Sequence, residues 1–210
     1  PGQRRKSPGI NHRDRGHCGP KNEEEGFQIT DDEIIQIQMG GKPPFYKFQH
    51  KVTKSTISQL DDYLKKCYEE GPEWHKTLFP YMERASVMRV PKYKHYMETE
   101  TDLPGMAREA SRSYRGSPHD QVENYMMDHD EFTIASEVPI YSFFDNVSGH
   151  IDLLRFKDGK IEIWDFKNYR NYNVGSQLYW YRKLLALNLD MPEEDILAGF
   201  FTYFKSFILE

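Results

Sequence analysis

The chain has 210 residues, a formal net charge of −5 and 14% aromatic side chains, among them 14 Tyr and 13 Phe. That length supports one well-packed domain with a tail or a small appendage, and the negative balance excludes a polycation that coats nucleic acid, so any nucleic-acid site has to be local. Two cysteines far apart, Cys18 and Cys67, exclude a disulfide framework and a CxxC zinc or iron–sulfur motif, and point to a reducing intracellular compartment (cytoplasm or nucleoid, an organelle remaining open).

No apolar run approaches the ~20 residues of a membrane span, and no signal peptide is visible. The start at Pro1 and the stop after FKSFILE point to a fragment. Residues 1–26 are rich in Pro, Gly and charge, which predicts a flexible tail. Its first part is basic (Arg4, Arg5, Lys6, Arg13, Arg15) before Glu23, Glu24 and Glu25 reverse the sign. Such an arm can touch phosphates or simply solubilise the chain. His12, His17 and Cys18 have metal-capable side chains but no ligand spacing.

Residues 27–105 read as a subregion of helical and extended pieces. IIQIQ followed by a Gly-Gly-Lys-Pro-Pro break is a short strand or helix and a turn. In KVTKSTISQLDDYLKKCYEEGPEW, Ser55 or Thr56 can cap a helix whose Ile57, Leu60, Leu64 and Tyr68 recur at three-to-four spacing. Pro72, Pro80, Pro91 and Pro104 punctuate residues 72–105. The alternation Lys92, Tyr93, Lys94, His95, Tyr96 suits a strand, either at a solvated edge or against nucleic acid.

In GSPHDQVENYMMDHD, Ser117 is an N-cap, Pro118 the first helical residue, and Asp120 closes an S-x-x-D capping box. His119 then shares an inward stripe with Val122, Tyr125 and Met126, as a hydrogen-bonded core histidine or as a ligand. In FTIASEVPIYSFFD, an extended run, Glu137 sits among apolar neighbours and needs a partner. Next, VSGHIDLLRFKDGKIEIWDFK reads as two strands joined at Asp158-Gly159. If Lys157 pairs with Lys160, Asp152 stands opposite Asp165 and His150 opposite Lys167, all on one face. Two opposed carboxylates repel unless a cation lies between them, so the hairpin is either a solvated face of mixed charge or a divalent-metal site. SQLYWYRKLLALNLDM is an apolar helix capped by Ser176, with Gln177 and Tyr181 four residues apart, and ILAGFFTYFKSF closes the chain as one strand. This order predicts an α/β fold, a central mixed β-sheet flanked by helices.

With these residues in place, Glu137…Asp152…Asp165-Phe166-Lys167 resembles the PD-(D/E)XK nuclease superfamily, in which an acid on one strand precedes D/E-x-K on the next. Further stretches resemble its RecB-like exonuclease branch. GSPHDQVE resembles the helix start that carries a histidine, here His119; SGHID resembles the G-x-x-D strand, here Gly149 and Asp152. WDFKNY is similar to the D-Y/F-K-T strand, with Asn168 in place of Thr, and QLYWY to the Q-x-x-x-Y helix, here Gln177 and Tyr181. KSTISQLDDYLKKCY resembles the opening helix. Together these cover residues 53–207. Many members of the branch hold an iron–sulfur cluster with a cysteine of that helix and a C-terminal cysteine triplet. Cys67 is present but no cysteine follows it, so no iron–sulfur cluster is expected within this chain: either the cluster is lacking or the triplet lies beyond residue 210.

The resemblance implies a restriction-endonuclease-like core over residues 106–210 and a Mg²⁺- or Mn²⁺-dependent deoxyribonuclease. Asp152 and Asp165 would be hard oxygen ligands, joined by the Phe166 carbonyl and by His119, a softer donor that admits Mn²⁺ as well as Mg²⁺. Glu137 would bind metal or orient a water. Lys167 would position the nucleophilic water and offset phosphate charge, and Gln177 and Tyr181 would support the metal site or the DNA strand. The implied partner is DNA, single-stranded or with free ends, within a larger repair or replication assembly. The alternative is a nuclease-like subunit that binds nucleic acid without cutting it.

Overall fold

The computed structural model describes residues 26–29, 34–39, 46–51, 56–90, 95–168 and 174–210. The reading of residues 1–25 with His12, His17 and Cys18, the Ser55 cap, the Lys92–Tyr93–Lys94 alternation and most of the loop after Asn168 lie outside the described residues.

The strands are β1 (Gly26–Ile29), β2 (Ile34–Met39), β3 (Tyr46–Lys51), β4 (Glu83–Arg84), β5 (Tyr96–Thr99), β6 (Thr133–Ser142), β7 (Val147–Lys157), β8 (Lys160–Phe166), β9 (Ile196–Phe201) and β10 (Ser206–Leu209). They form one sheet in the order β1-β2-β3-β6-β7-β8-β9-β10-β5, with β4 beside β7. The β8–β9 and β4–β7 pairs are parallel and the other pairs antiparallel. Four helices flank it: α1 (Ser58–Thr77), α2 (Leu103–Ser113), α3 (Pro118–His129) and α4 (Gly175–Leu189). The architecture is thus the expected α/β class with a mixed sheet. The sheet runs across residue 105, since β3 joins β6 and β5 joins β10.

Period-two alternation gives the central strands two apolar faces. Leu154 and Ile163 pack with Leu60, Leu64, Leu178 and Leu184 of α1 and α4, whereas Leu153, Trp164 and Phe166 pack with Leu103, Ala107, Val122 and Met126 of α2 and α3. Each such side chain removed from water contributes roughly 1.5–3 kcal/mol.

Several local expectations are corrected. Helix α1 begins at an N-cap, Ile57, that makes no side-chain cap bond, and it continues through Pro72. A proline disfavours a helix interior, but the burial of Trp74 and His75 beyond it holds the last turn in place. Helix α2 stands where Pro104 suggests a break; the proline lies in the first turn, where its missing N–H costs nothing. Ser176 lies inside α4, whose N-cap is Val174, and its hydroxyl accepts from the Val90 N–H at 2.8 Å. The C-terminal run is two strands, because Thr202 Oγ1 accepts the Phe204 and Lys205 N–H groups at 3.0 and 3.1 Å and turns the chain back. Ser117 caps α3 as predicted, accepting from the Asp120 N–H at 3.2 Å. The hairpin also has the predicted register, from Lys157↔Lys160 to Leu153↔Trp164, with Asp158 and Gly159 both at positive φ. Among the described residues, no helix is long and apolar enough to cross a membrane.

Candidate functional site

Three carboxylates line up across three adjacent strands. Ser136↔Leu153 and Val138↔Ile151 bracket Glu137 against Asp152, and the hairpin ladder ends at Leu153↔Trp164, one position short of Asp152 and Asp165. At that position the expected opposed pair is modified: Asp152 Oδ2 accepts the Phe166 N–H at 3.1 Å, so a side chain takes up a backbone donor of β8. Strand β4 meets the start of β7 at Val147 and Ser148. Because β6 occupies the opposite edge of β7 there, β4 and β8 share one edge. The stretch Gly149–Asp152 lies in the gap between them.

The site is built around this gap. Asp165 is fully buried. Its Oδ2 lies 2.6 Å from Lys167 Nζ, and its Oδ1 accepts from Gln177 Nε2 at 2.9 Å. The same amide lies 2.8 Å from the Tyr181 hydroxyl, which explains the four-residue spacing on α4. Gly149 admits that tyrosine, since a Cβ there would stand 2.8 Å from Tyr181 Cε1 and 3.2 Å from Ala85 Cβ. From the first turn of α3, His119 brings Nε2 to 3.4 Å from Asp152 Oδ2 and sets its ring edge-on to Phe166.

Electrostatics follow from burial and crowding. Burial, then the Asp152 charge, pushes the Asp165 carboxyl up to about 7 against the pull of Lys167. The hydrogen bond to Asp152 raises the His119 imidazole. Burial, followed by Glu123 and Asp152, holds the Glu137 carboxyl well above the usual carboxylate range. Glu137 also has a left-handed backbone, φ 52°. Ala135, Val138 and Ile140 belong to one core cluster, so strict alternation breaks at this point of β6. The break explains how an acid fits in an otherwise apolar run.

Two further residues join the site beyond those expected from the sequence. Glu123, 2% exposed, takes the Lys47 ammonium at 2.7 Å. Its signal is legible, since it follows His119 by four residues on one helix face. Lys47 lies 76 residues away on β3 and carries no local signal. His150, expected on the face of Asp152, Asp165 and Lys167, packs its ring against His75 and Phe79. With Glu137, Asp152, Arg84 and Tyr181 these residues line a cleft of about 540 Å³.

Among the described residues, no group of three or more His, Cys, Asp or Glu is gathered as a ready metal cluster. His119 meets Asp152, while Asp165 turns to Lys167 and Gln177, so the three do not converge on one point. The donor chemistry still fits a hard divalent cation. Asp165 Oδ2 is buried beside the Lys167 ammonium at 2.6 Å, yet burial and the neighbouring Asp152 charge still push this carboxyl up to about 7, so the pair of acids favours an added positive charge. Asp152, Asp165 and His119 are the side chains that would hold the ion. Comparison with family models, with curated proteins and with solved structures returned no match.

Proposed function

We propose that the chain is a metal-dependent nuclease that hydrolyses DNA phosphodiester bonds, acting as an exonuclease on single-stranded ends. The observation that carries this reading is the row Glu137–Asp152–Asp165 on adjacent strands, with Lys167 beside the last acid and His119 beside the middle one. The row follows the order of the PD-(D/E)XK pattern in its RecB-like branch. A Mg²⁺ or Mn²⁺ ion held by Asp152, Asp165 and His119 would supply Lewis-acid polarisation and neutralise charge on the phosphate.

The chain's own groups do the rest. The Lys167 ammonium, at 2.6 Å from Asp165, donates to the attacking water and to a phosphate oxygen, so it positions both. Glu137 faces the cleft and orients that water. Gln177 fixes one oxygen of Asp165 and Lys167 meets the other. Beyond Asn168 lies a groove of about 550 Å³ lined by Tyr96, Tyr203, Phe204 and Phe207, with the buried Phe200 ring stacked on Phe207 at its base. Phe204 is 71% exposed, and such rings stack unpaired bases without sequence preference, which favours a single strand. The buried Cys67 thiol, which donates to the Pro139 carbonyl at 3.9 Å, suits a reducing compartment. The test is incubation with end-labelled single-stranded, duplex and circular DNA in Mg²⁺, Mn²⁺ or EDTA. Cleavage of single-stranded ends that stops in EDTA is expected. Tight DNA binding with no cleavage in either metal would replace this reading with that of a non-cutting subunit.

A further inference from the structure

The acid row runs on into aromatic rings. Asp165 on β8 and Phe200 on β9 are side-by-side partners in a parallel register, and Phe200 pairs with Phe207 of β10. Register partners share a face of the sheet, so Asp165, Phe200 and Phe207 form one line across three strands. The Phe200 and Phe207 rings stack with centroids 4.8 Å apart and planes at 14°, and the Tyr96 ring meets Phe200 edge-on at 5.1 Å. The Tyr96 hydroxyl also accepts the Gly175 N–H at 3.1 Å. Gly175 opens α4, the helix whose Gln177 holds Asp165. The Lys167 N–H donates to the Phe201 carbonyl at 2.9 Å, and the next residue, Asn168, lines the aromatic groove. The groove thus begins where the acid row ends.

The lip of this groove is a tightly bonded turn between β9 and β10. The Thr202 N–H donates to the Lys205 carbonyl at 2.8 Å, while the Thr202 hydroxyl accepts the Phe204 and Lys205 N–H groups. Arg108 donates to the Tyr203 carbonyl, and the Tyr203 ring sits edge-on to Phe166 at 5.1 Å. A turn held at this many points has little freedom left to lose on binding, yet it presents Phe204 71% exposed and outside both hydrophobic clusters. Lys205 beside it pairs with Glu98 at 2.7 Å, both side chains being more than half exposed. Such an exposed pair is weak, so the ammonium can turn to a phosphate.

We propose that the groove is the subsite for one unpaired base of the substrate strand, with Phe204 as its stacking platform and Lys205 on the adjoining phosphate, at a fixed distance from the bond that is cut. This rests on the nuclease reading and names the part of the DNA that the site holds. In a duplex both faces of a base are already covered, so a ring platform recruits an unpaired one. Two strand spacings separate Asp165 from Phe207, about 10 Å, and stacked nucleotides advance by roughly 3.4 Å each. The held base is therefore about three nucleotides from the cut.

The experiment uses end-labelled single-stranded DNA with one abasic site walked along the strand, digested in Mg²⁺ or Mn²⁺ by the wild type, Phe204→Ala and Phe204→Trp, with circular dichroism to confirm folding. In parallel, 2-aminopurine at the same positions reports stacking through its fluorescence when the strand binds in EDTA. The wild type is expected to pause, slowed about tenfold, at one fixed offset of about three nucleotides from the abasic site, and to quench 2-aminopurine at one position of the bound strand. Phe204→Ala should cut the intact strand about tenfold more slowly and lose both the pause and the quench, and Phe204→Trp should keep both. Even digestion through the abasic site by the wild type would overturn the inference and leave the nuclease reading intact, as would a pause and quench unchanged in Phe204→Ala. No cleavage by the wild type in either metal would sink the nuclease reading itself. The quench would then decide the subsite: lost in Phe204→Ala, it stands; absent in the wild type, it falls.

Discussion

Glu137 faces Asp152 across β6 and β7 from a left-handed backbone, φ 52°, in the interior of a strand. A non-glycine residue there costs roughly 1–2 kcal/mol, and such strain persists where surrounding structure and function over-determine it. Both the backbone and the crowded acid act against stability. Glu137→Gly should therefore raise the unfolding free energy in urea by about 1 kcal/mol while cutting metal-dependent cleavage by at least about tenfold. A variant no more stable than wild type would mean that the strand carries no such strain.

Asp165→Asn and Lys167→Ala should each lower metal-dependent DNA cleavage by about 10²- to 10⁴-fold with unchanged circular dichroism. Both side chains end at the site, so their loss leaves the two hydrophobic clusters intact. Full activity in either variant, or wild-type activity that survives EDTA, would refute the mechanism.

The buried Asp165 carboxyl should cost the metal-free protein stability as pH rises from about 4 to about 7, the interval between the ordinary carboxyl value of 3.8 and the raised one of Asp165, whereas His50 and His150, pushed down to about 4 by burial, act in the opposite sense. A carboxyl with its folded value raised binds its proton more tightly in the fold, so the folded state carries more protons in that window and stability falls with increasing pH. His119, raised by Asp152, acts in the same sense: its stabilisation is lost as pH climbs through its folded value. A bound divalent cation requires the ionised acids and should flatten or reverse the slope. Thermal melts at stepped pH, with and without Mg²⁺, measure this. The Asp165 share is the difference between wild type and Asp165→Asn: a metal-free wild type that loses no more stability than the variant as pH rises through the window would contradict the raised Asp165 carboxyl.

Arg155, 1% exposed, holds Asp130 through Nε at 2.7 Å and through Nη2 at 3.2 Å, and reaches Glu162 at 3.2 Å. Burial alone would raise the Asp130 carboxyl, yet the Arg155 bonds outweigh it and lower the group. Arg155→Ala should therefore destabilise the fold by roughly 3–5 kcal/mol, since it strands a buried acid. Metal affinity of the fraction that remains folded should be unchanged, as Arg155 has no contact with the carboxylate row. Calorimetric unfolding together with Mn²⁺ titration separates the two effects.

Gly149→Ala would push its methyl against the Tyr181 ring, 2.8 Å away. Overpacking of this kind costs about 1–3 kcal/mol, and displacing Tyr181 loosens the Gln177 amide that orients Asp165. Cleavage should fall more than metal affinity, because the ring acts through Gln177 on an acid that still carries its charge. Unaltered kinetics would show that the tyrosine plays no part in orienting the site.

What the sequence determined by itself was local. The Asp158-Gly159 turn set the hairpin register, because two residues at positive φ admit one pairing. Ser117 started α3 and so gave His119 its direction, and the four-residue step from Gln177 to Tyr181 aligned both on one helix face. The alternating apolar runs gave the mixed sheet. Tertiary structure decided the rest. Pro72 remains inside a helix because the residues beyond it are buried, and Pro104 starts a helix instead of ending a segment. Glu137 and Asp152 share a row only because β6 pairs with β7 in one register. Lys47 and Glu123 meet across 76 residues only because β3 lies beside β6 under α3. Turns and caps are satisfied within a few residues and leave a mark on the chain. The counter-charges of a buried acid row come from wherever the sheet order delivers them, and sheet order is settled by packing over the whole domain.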